Sequence, residues 1–251
     1  MKIFILSLVL FFGSFQATRS QQIHSHNDYE QNVPFWKAYS VGASSIEADV
    51  HLVNDTLFVA HDREEIQRSR TLQSLYLSPI RQLFVEKNIT SRPIQLLIDI
   101  KTEAHPALDK IVEELKPFAQ YLYPKNQHGV KIVISGSRPN PTEYKNYPAF
   151  IFFDWQSTDK PENPDKVALV SLNFRNFSQW NGRQHPTATE ITEIERIINQ
   201  MKLLEKPIRF WAAPDTEIAW KTLFNLNVDF IGTDKPVESS LFFHSLPDSK
   251  N

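Results

Sequence analysis

Short apolar runs alternate along this chain with longer stretches whose apolar residues recur every three or four positions. Runs of the first kind predict strands at 21–26, 44–53, 93–102, 130–136, 149–155, 166–174, 207–214 and 228–234. TLFVAHD (56–62) follows an Asn54-Asp55 turn and reads as an arm returning beside the second strand. Helices are expected between the strands. PFWKAYSVG (34–42) has Pro34 in its first turn and Gly42 at its end. TLQSLYLSPIRQLFVEK (71–87) is helical but broken by Pro79, and HPALDKIVEELKPFAQYL (105–122) is helical with an early proline. TATEITEIERIINQMKLLEK (187–206) sets Ile191, Ile194, Ile197 and Ile198 on one face. DTEIAWKTLFNLN (215–227) starts on Asp215 as a plausible N-cap, and VESSLFFHSL (237–246) closes the chain.

Apolar strands alternating with amphipathic helices imply a parallel sheet covered on both faces. Eight such units predict an α/β fold of the (β/α)8 barrel type in one domain over residues 21–251. The polar, Pro-rich link STDKPENPD (157–165) carries too little helical signal for a full crossover helix, so one or two crossovers should be irregular.

Composition narrows the picture. An apolar fraction of 41% in 251 residues can build a real core without help, which matters because there is no cysteine. Disulfides, a cysteine nucleophile and a thiolate zinc site are all excluded. The formal charge of -2 argues against a broad electrostatic grip on nucleic acid or an acidic membrane. MKIFILSLVLFFGSFQATRS (1–20) has a positive start, a short apolar centre and a small-residue end, the pattern of a secretory signal peptide cleaved before Gln21 or Gln22. The protein is therefore expected to be exported, with no membrane span after cleavage. Asn54, Asn88 and Asn176 head N-x-S/T triplets that matter only in a host that glycosylates.

The candidate chemistry lies at strand ends. His24 and His26, Glu47 and Asp49, and Asp99 and Lys101 are pairs two residues apart, so each pair shares one strand face. The apolar residues between them pack outward against helices, and the polar ones meet at the C-terminal mouth of the barrel. Converging carboxylates raise one another's pKa unless a cation neutralises them. An all-oxygen set points to Mg²⁺ or Ca²⁺. His61 ends the return arm, which would deliver its imidazole near the same mouth. Two histidines beside a metal suit proton transfer, one accepting and one donating. His51 continues into a hairpin and is expected to face solvent.

SIEADVHLVNDTLFVAHD, LLIDIKT and FIGTDKP together resemble the superfamily of glycerophosphodiester phosphodiesterases and phosphatidylinositol-specific phospholipases C. HSHNDY (24–29) resembles an uncharacterised branch of it. The resemblance implies a metal-dependent phosphoric diester hydrolase acting on a glycerophosphodiester or phospholipid-headgroup-like substrate. It places the divalent cation on Glu47, Asp49 and Asp99, makes His61 an acid or base, sets Lys101 on the phosphate and brings Trp211 near the substrate. This chain departs from the common pattern: it lacks the arginine and glycine after the first histidine and has Asp99 where glutamate is usual.

Position rather than resemblance selects the remaining residues. His26 lies further toward the strand end than His24, so it is expected to partner His61, with Asn27 as a polar helper and His24 as a deeper supporting residue. Arg138, after the fourth strand, is a candidate to hold a phosphate oxygen. Two other readings share these residues: a non-catalytic metal-containing barrel that binds lipid headgroups or glycans, and a zinc hydrolase built on His24, His26 and His61.

Overall fold

The computed structural model describes residues 22–85 and 92–246. The leader and the Asn88 triplet lie outside them. Eight parallel strands close into a ring, running β1 (Gln22–Ser25), β2 (Ser45–Val53), β4 (Gln95–Ile100), β5 (Lys131–Gly136), β6 (Ile151–Trp155), β7 (Val167–Asn173), β8 (Ile208–Trp211) and β9 (Phe230–Thr233), with β9 pairing back onto β1. The remaining strand, β3 (Thr56–Val59), is the predicted return arm, antiparallel to β2 with Val50 opposite Val59. The fold is the expected (β/α)8 barrel.

Alternation along β2 decides which residues reach the axis. Ile46, Ala48 and Val50 are fully buried between strands and helices, with Ile98 and Ile100 of β4 beside them. Burial of each of these isoleucine and valine side chains stabilises by roughly 1.5–3 kcal/mol, so a one-residue slip that turned the carboxylates outward is strongly disfavoured. Inside the ring, Leu97, Val133, Leu169 and Phe230 form a separate apolar plug. The polar residues of the same inward faces stand above this plug, toward the mouth.

The outer layer is α1 (Trp36–Ser40), α2 (Ser78–Val85), α3 (Ala104–Leu115), α4 (Ala188–Lys202), α5 (Glu217–Asn225) and α6 (Pro236–Ser245). The β5–β6 and β6–β7 crossovers carry only 3-10 turns, at Pro141–Asn146 and Pro164–Lys166. Both are Pro-led and too short to nucleate an α-helix. The helix around Pro79 is not broken. A π turn at Gln73–Leu77 runs directly into α2, so Pro79 falls at the second residue of the α segment, where its missing N–H is tolerated. The N-cap of α5 is Thr216, which accepts from the Ala219 N–H, rather than Asp215. Asp215 instead accepts from Trp220 Nε1 and from the Asp234 N–H.

Candidate active site at the mouth of the barrel

The β2–β4 register sets Asp49 opposite Asp99, with Glu47 two residues deeper on β2. One oxygen from each of Glu47, Asp49 and Asp99 lies within 4.8 Å of the others, which assembles the predicted carboxylate set. Close approach of β5 depends on Gly136, which has φ +65°; a Cβ there would sit 2.4 Å from Asp99 Oδ1.

Below the set is an ionic floor. Glu47 Oε2 accepts from Arg209 Nη1 at 2.8 Å and lies 2.6 Å from His24 Nε2. Arg209 also lies against His24 Nε2, and the other ring nitrogen of His24 meets Ser45 Oγ at 2.7 Å. Burial opposes ionisation of Glu47, but the Arg209 charge and the His24 contact outweigh it and hold the carboxyl well below its usual range. Burial, with help from Arg209, pushes His24 down to about 4, so its ring is neutral at pH 7. Both its nitrogens are engaged below the mouth, so His24 does not converge with His26 and His61 on a shared ion.

Asp49 Oδ2 accepts from Lys101 Nζ at 3.0 Å and from the Tyr29 hydroxyl at 2.8 Å, and it faces His61 Nδ1 at 3.2 Å. Its other oxygen, Oδ1, is buried with no hydrogen-bond partner among the described residues. Leaving such an atom unsatisfied costs about 1–3 kcal/mol or more. A hard cation held by Glu47, Asp49 and Asp99 would satisfy it, so the donor set fits Mg²⁺ or Ca²⁺. Lys101 also donates to Asp99 Oδ1 at 3.1 Å. Burial, reinforced by the Glu47 and Asp49 charges and only partly offset by Lys101, pushes Asp99 up to about 6. Burial and the Glu47 charge raise Asp49 as well.

The rim holds the two remaining histidines. His26, at the end of β1, has Nδ1 2.7 Å from Asp234 Oδ1, and its Nε2 lies 4.0 Å from Glu47 Oε1. Burial lowers the His26 pKa, but the Asp234 hydrogen bond and the Glu47 and Asp234 charges prevail and raise it above 6.5. Asn27 follows in the left-handed region at φ 46° and donates to Asp234 Oδ1 at 3.4 Å. His61 is half-exposed beyond β3. Trp211, 38% exposed, ends β8 two residues after Arg209.

Two expectations change. His51 is buried, not solvent-facing, with Nε2 3.2 Å from the His61 carbonyl, so it props the segment that carries His61. The Arg138 guanidinium is engaged along the β5–β6 rim. It donates to the Asp154 carbonyl at 2.6 Å and to Gln156 Oε1 at 3.1 Å, not to the carboxylate set. Below it, the fully buried Asp154 accepts from Ser135 and Ser171.

Arg209, Asp234 and Tyr29 escaped the sequence reading. Arg209 had a signal: it alternates with Ile208 and Phe210 in an apolar strand, which places a charge on the inward face. Asp234 ends the last strand, in FIGTDKP. Tyr29 had none, because the 3-10 turn Asp28–Glu30 that carries it has no periodicity to read.

Residues 15–154 match the model of the AIM6-like phosphodiesterase domain. Similar proteins include the altered inheritance of mitochondria protein 6 homolog of Arthroderma benhamiae, 27% identical with 84% of this chain and 80% of the relative covered. Altered inheritance of mitochondria protein 6 of Kluyveromyces lactis is 26% identical, covering 84% and 70%. Among solved structures, a Ca²⁺-dependent phosphatidylinositol-specific phospholipase C from Streptomyces antibioticus matches with a TM-score of 0.58 at 10% identity, covering 89% of this chain and 95% of the other. A glycerophosphodiester phosphodiesterase from Agrobacterium tumefaciens matches at 0.55 and 13%, covering 90% and 100%. An Oleispira antarctica phosphodiesterase in complex with its product sn-glycerol-3-phosphate matches at 0.55 and 12%, covering 89% and 97%. These structural likenesses share the barrel, and the sequence match makes this chain a member of the AIM6-like phosphodiesterase domain family.

Proposed function

We propose that this protein is an exported, metal-dependent phosphoric diester hydrolase acting on a small glycerophosphodiester or phospholipid-headgroup-like substrate. One observation carries the reading: three carboxylates converge at the mouth, one with a buried oxygen that has no partner among the described residues, between two histidines that each contact a carboxylate. The leader pattern supports export, and no helix among the described residues is long and apolar enough to cross a membrane.

Glu47, Asp49 and Asp99 would hold a divalent cation, which would supply charge stabilisation for the phosphoryl oxygens. Lys101, already between Asp49 and Asp99, adds a positive charge beside the phosphate. His26 is the base. Asp234 accepts its Nδ1 proton, which fixes the tautomer and leaves the Nε2 lone pair for the attacking hydroxyl of water or substrate. His61 is the acid. It gives its Nε2 proton to the leaving alkoxide as the P–O bond breaks, with Nδ1 directed at Asp49 Oδ2. Trp211 offers an exposed ring to the apolar part of the substrate.

The Asp49→Asn and Asp99→Asn variants test the metal assignment. Each should lose both Ca²⁺- or Mg²⁺-dependent thermal stabilisation and turnover of bis(p-nitrophenyl) phosphate. Retention of both in either variant contradicts it.

A further inference from the structure

Tyr29 is 3% exposed, and its hydroxyl joins three groups of the site. The oxygen is 2.8 Å from Asp49 Oδ2, 2.8 Å from Asn27 Oδ1 and 3.3 Å from His61 Nδ1. A phenol has one proton and two lone pairs. The proton goes to Asp49 or Asn27, and a lone pair accepts from the His61 Nδ1–H.

The turn that presents Tyr29 is rigidly held. Buried Asp28 accepts from Ser25 Oγ at 2.9 Å, from the Phe35 N–H at 2.6 Å and from the Tyr76 hydroxyl at 3.2 Å. The Arg70 guanidinium donates to the Tyr29 carbonyl. His61 is the opposite case. It is half-exposed beyond a strand end, and among the described residues its ring meets only Asp49 and Tyr29, both through Nδ1. A half-exposed ring beside two fixed oxygens takes its orientation from them.

We propose that Tyr29 is a positioning residue for proton donation. Its hydroxyl and Asp49 Oδ2 cradle the Nδ1–H of His61 and aim Nε2 at the leaving group. This inference rests on the phosphodiesterase reading above, and it gives the HSHNDY segment a division of labour: Asp28 anchors the turn and Tyr29 aims the acid.

Tyr29→Phe tests it, because the ring that fills the core is kept. For a glycerophosphodiester, whose alkoxide leaves only with a proton, kcat should fall by about 10–100-fold with KM within about twofold. For a p-nitrophenyl diester, which needs no acid, kcat should fall by less than about threefold. Equal losses on both substrates, or no loss on either, overturn the proposal. Imidazole ¹⁵N spectra of histidine-labelled protein give a readout independent of turnover. Wild-type His61 should show a protonated Nδ1 held in one environment, and Tyr29→Phe should show averaged nitrogens. A wild-type His61 protonated at Nε2 alone, or spectra identical in the two proteins, overturns it. If wild-type protein hydrolyses no phosphodiester, the enzymatic reading fails, and the spectra still decide whether Tyr29 orients His61.

Discussion

Asp234 Oδ1 sits 2.7 Å from Nδ1 of His26, across the seam where β9 closes onto β1. The contact separates the two histidines of the first strand by role: His26 is backed by a rim carboxylate, while His24 is locked into the floor. With His26 as the proposed base, its raised pKa should put the acidic limb of the kcat/KM profile above pH 6.5. Asp234→Asn removes the hydrogen-bonded charge, so the limb should move to lower pH while the plateau falls by about 10–100-fold. A pH–rate profile of the two proteins checks both shifts.

His24 is expected to matter for stability. Its folded pKa of about 4 lies below the ordinary 6.5, so as pH falls the unfolded chain takes up the proton first. The penalty is absent above pH 6.5 and grows as pH falls toward about 4, reaching on the order of 3 kcal/mol. Urea unfolding of wild type and His24→Gln at pH 7 and pH 5 should show the wild type losing more of its stability on acidification than the variant.

The Arg209–Glu47 pair is buried at both ends. Arg209→Met leaves the buried Glu47 charge without its guanidinium partner, which should cost about 3–5 kcal/mol. Replacing both, as Arg209→Met with Glu47→Gln, should recover much of that loss, because no unpaired charge remains. Denaturant midpoints of the two single variants and the double variant give the coupling directly.

The barrel was legible because its strands are bounded apolar runs and its inward polar pairs recur at two-residue spacing. Glu47, Asp49 and Asp99 followed from that alternation alone, since one face of β2 is Ile46, Ala48 and Val50. The partners of the histidines were not legible. Asp234 reaches His26 only because β9 closes onto β1, a contact between residues 208 positions apart. Tyr29 reaches His61 through a short turn with no period. His51 has a different cause: alternation puts it on the face of Glu47 and Asp49, but the hairpin in the sequence does not show that the segment after β3 covers it.

Asp99 would tie the proposed cation binding to pH. Its carboxyl is pushed up to about 6, so below that pH a proton competes with the cation for the same oxygens. The folded pKa is above the unfolded value of 3.8, so without metal the protein should lose stability as pH rises from 3.8 through about 6. Added Ca²⁺ or Mg²⁺ should therefore raise the melting temperature little at pH 5 and increasingly above pH 6. Asp99→Asn should flatten that dependence in thermal melts with and without EDTA.

The proposed hydrolysis of phosphodiesters by the carboxylate set and His26 is measured most directly as turnover after EDTA treatment and metal add-back. Wild-type and His26→Ala proteins should both regain cation-dependent thermal stabilisation. On a panel of glycerophosphodiesters and bis(p-nitrophenyl) phosphate, only the wild type should regain turnover. Turnover that survives EDTA, or metal-dependent stabilisation of the wild type with no hydrolysis of any phosphodiester, would contradict the account, and the second result would point to a binding protein.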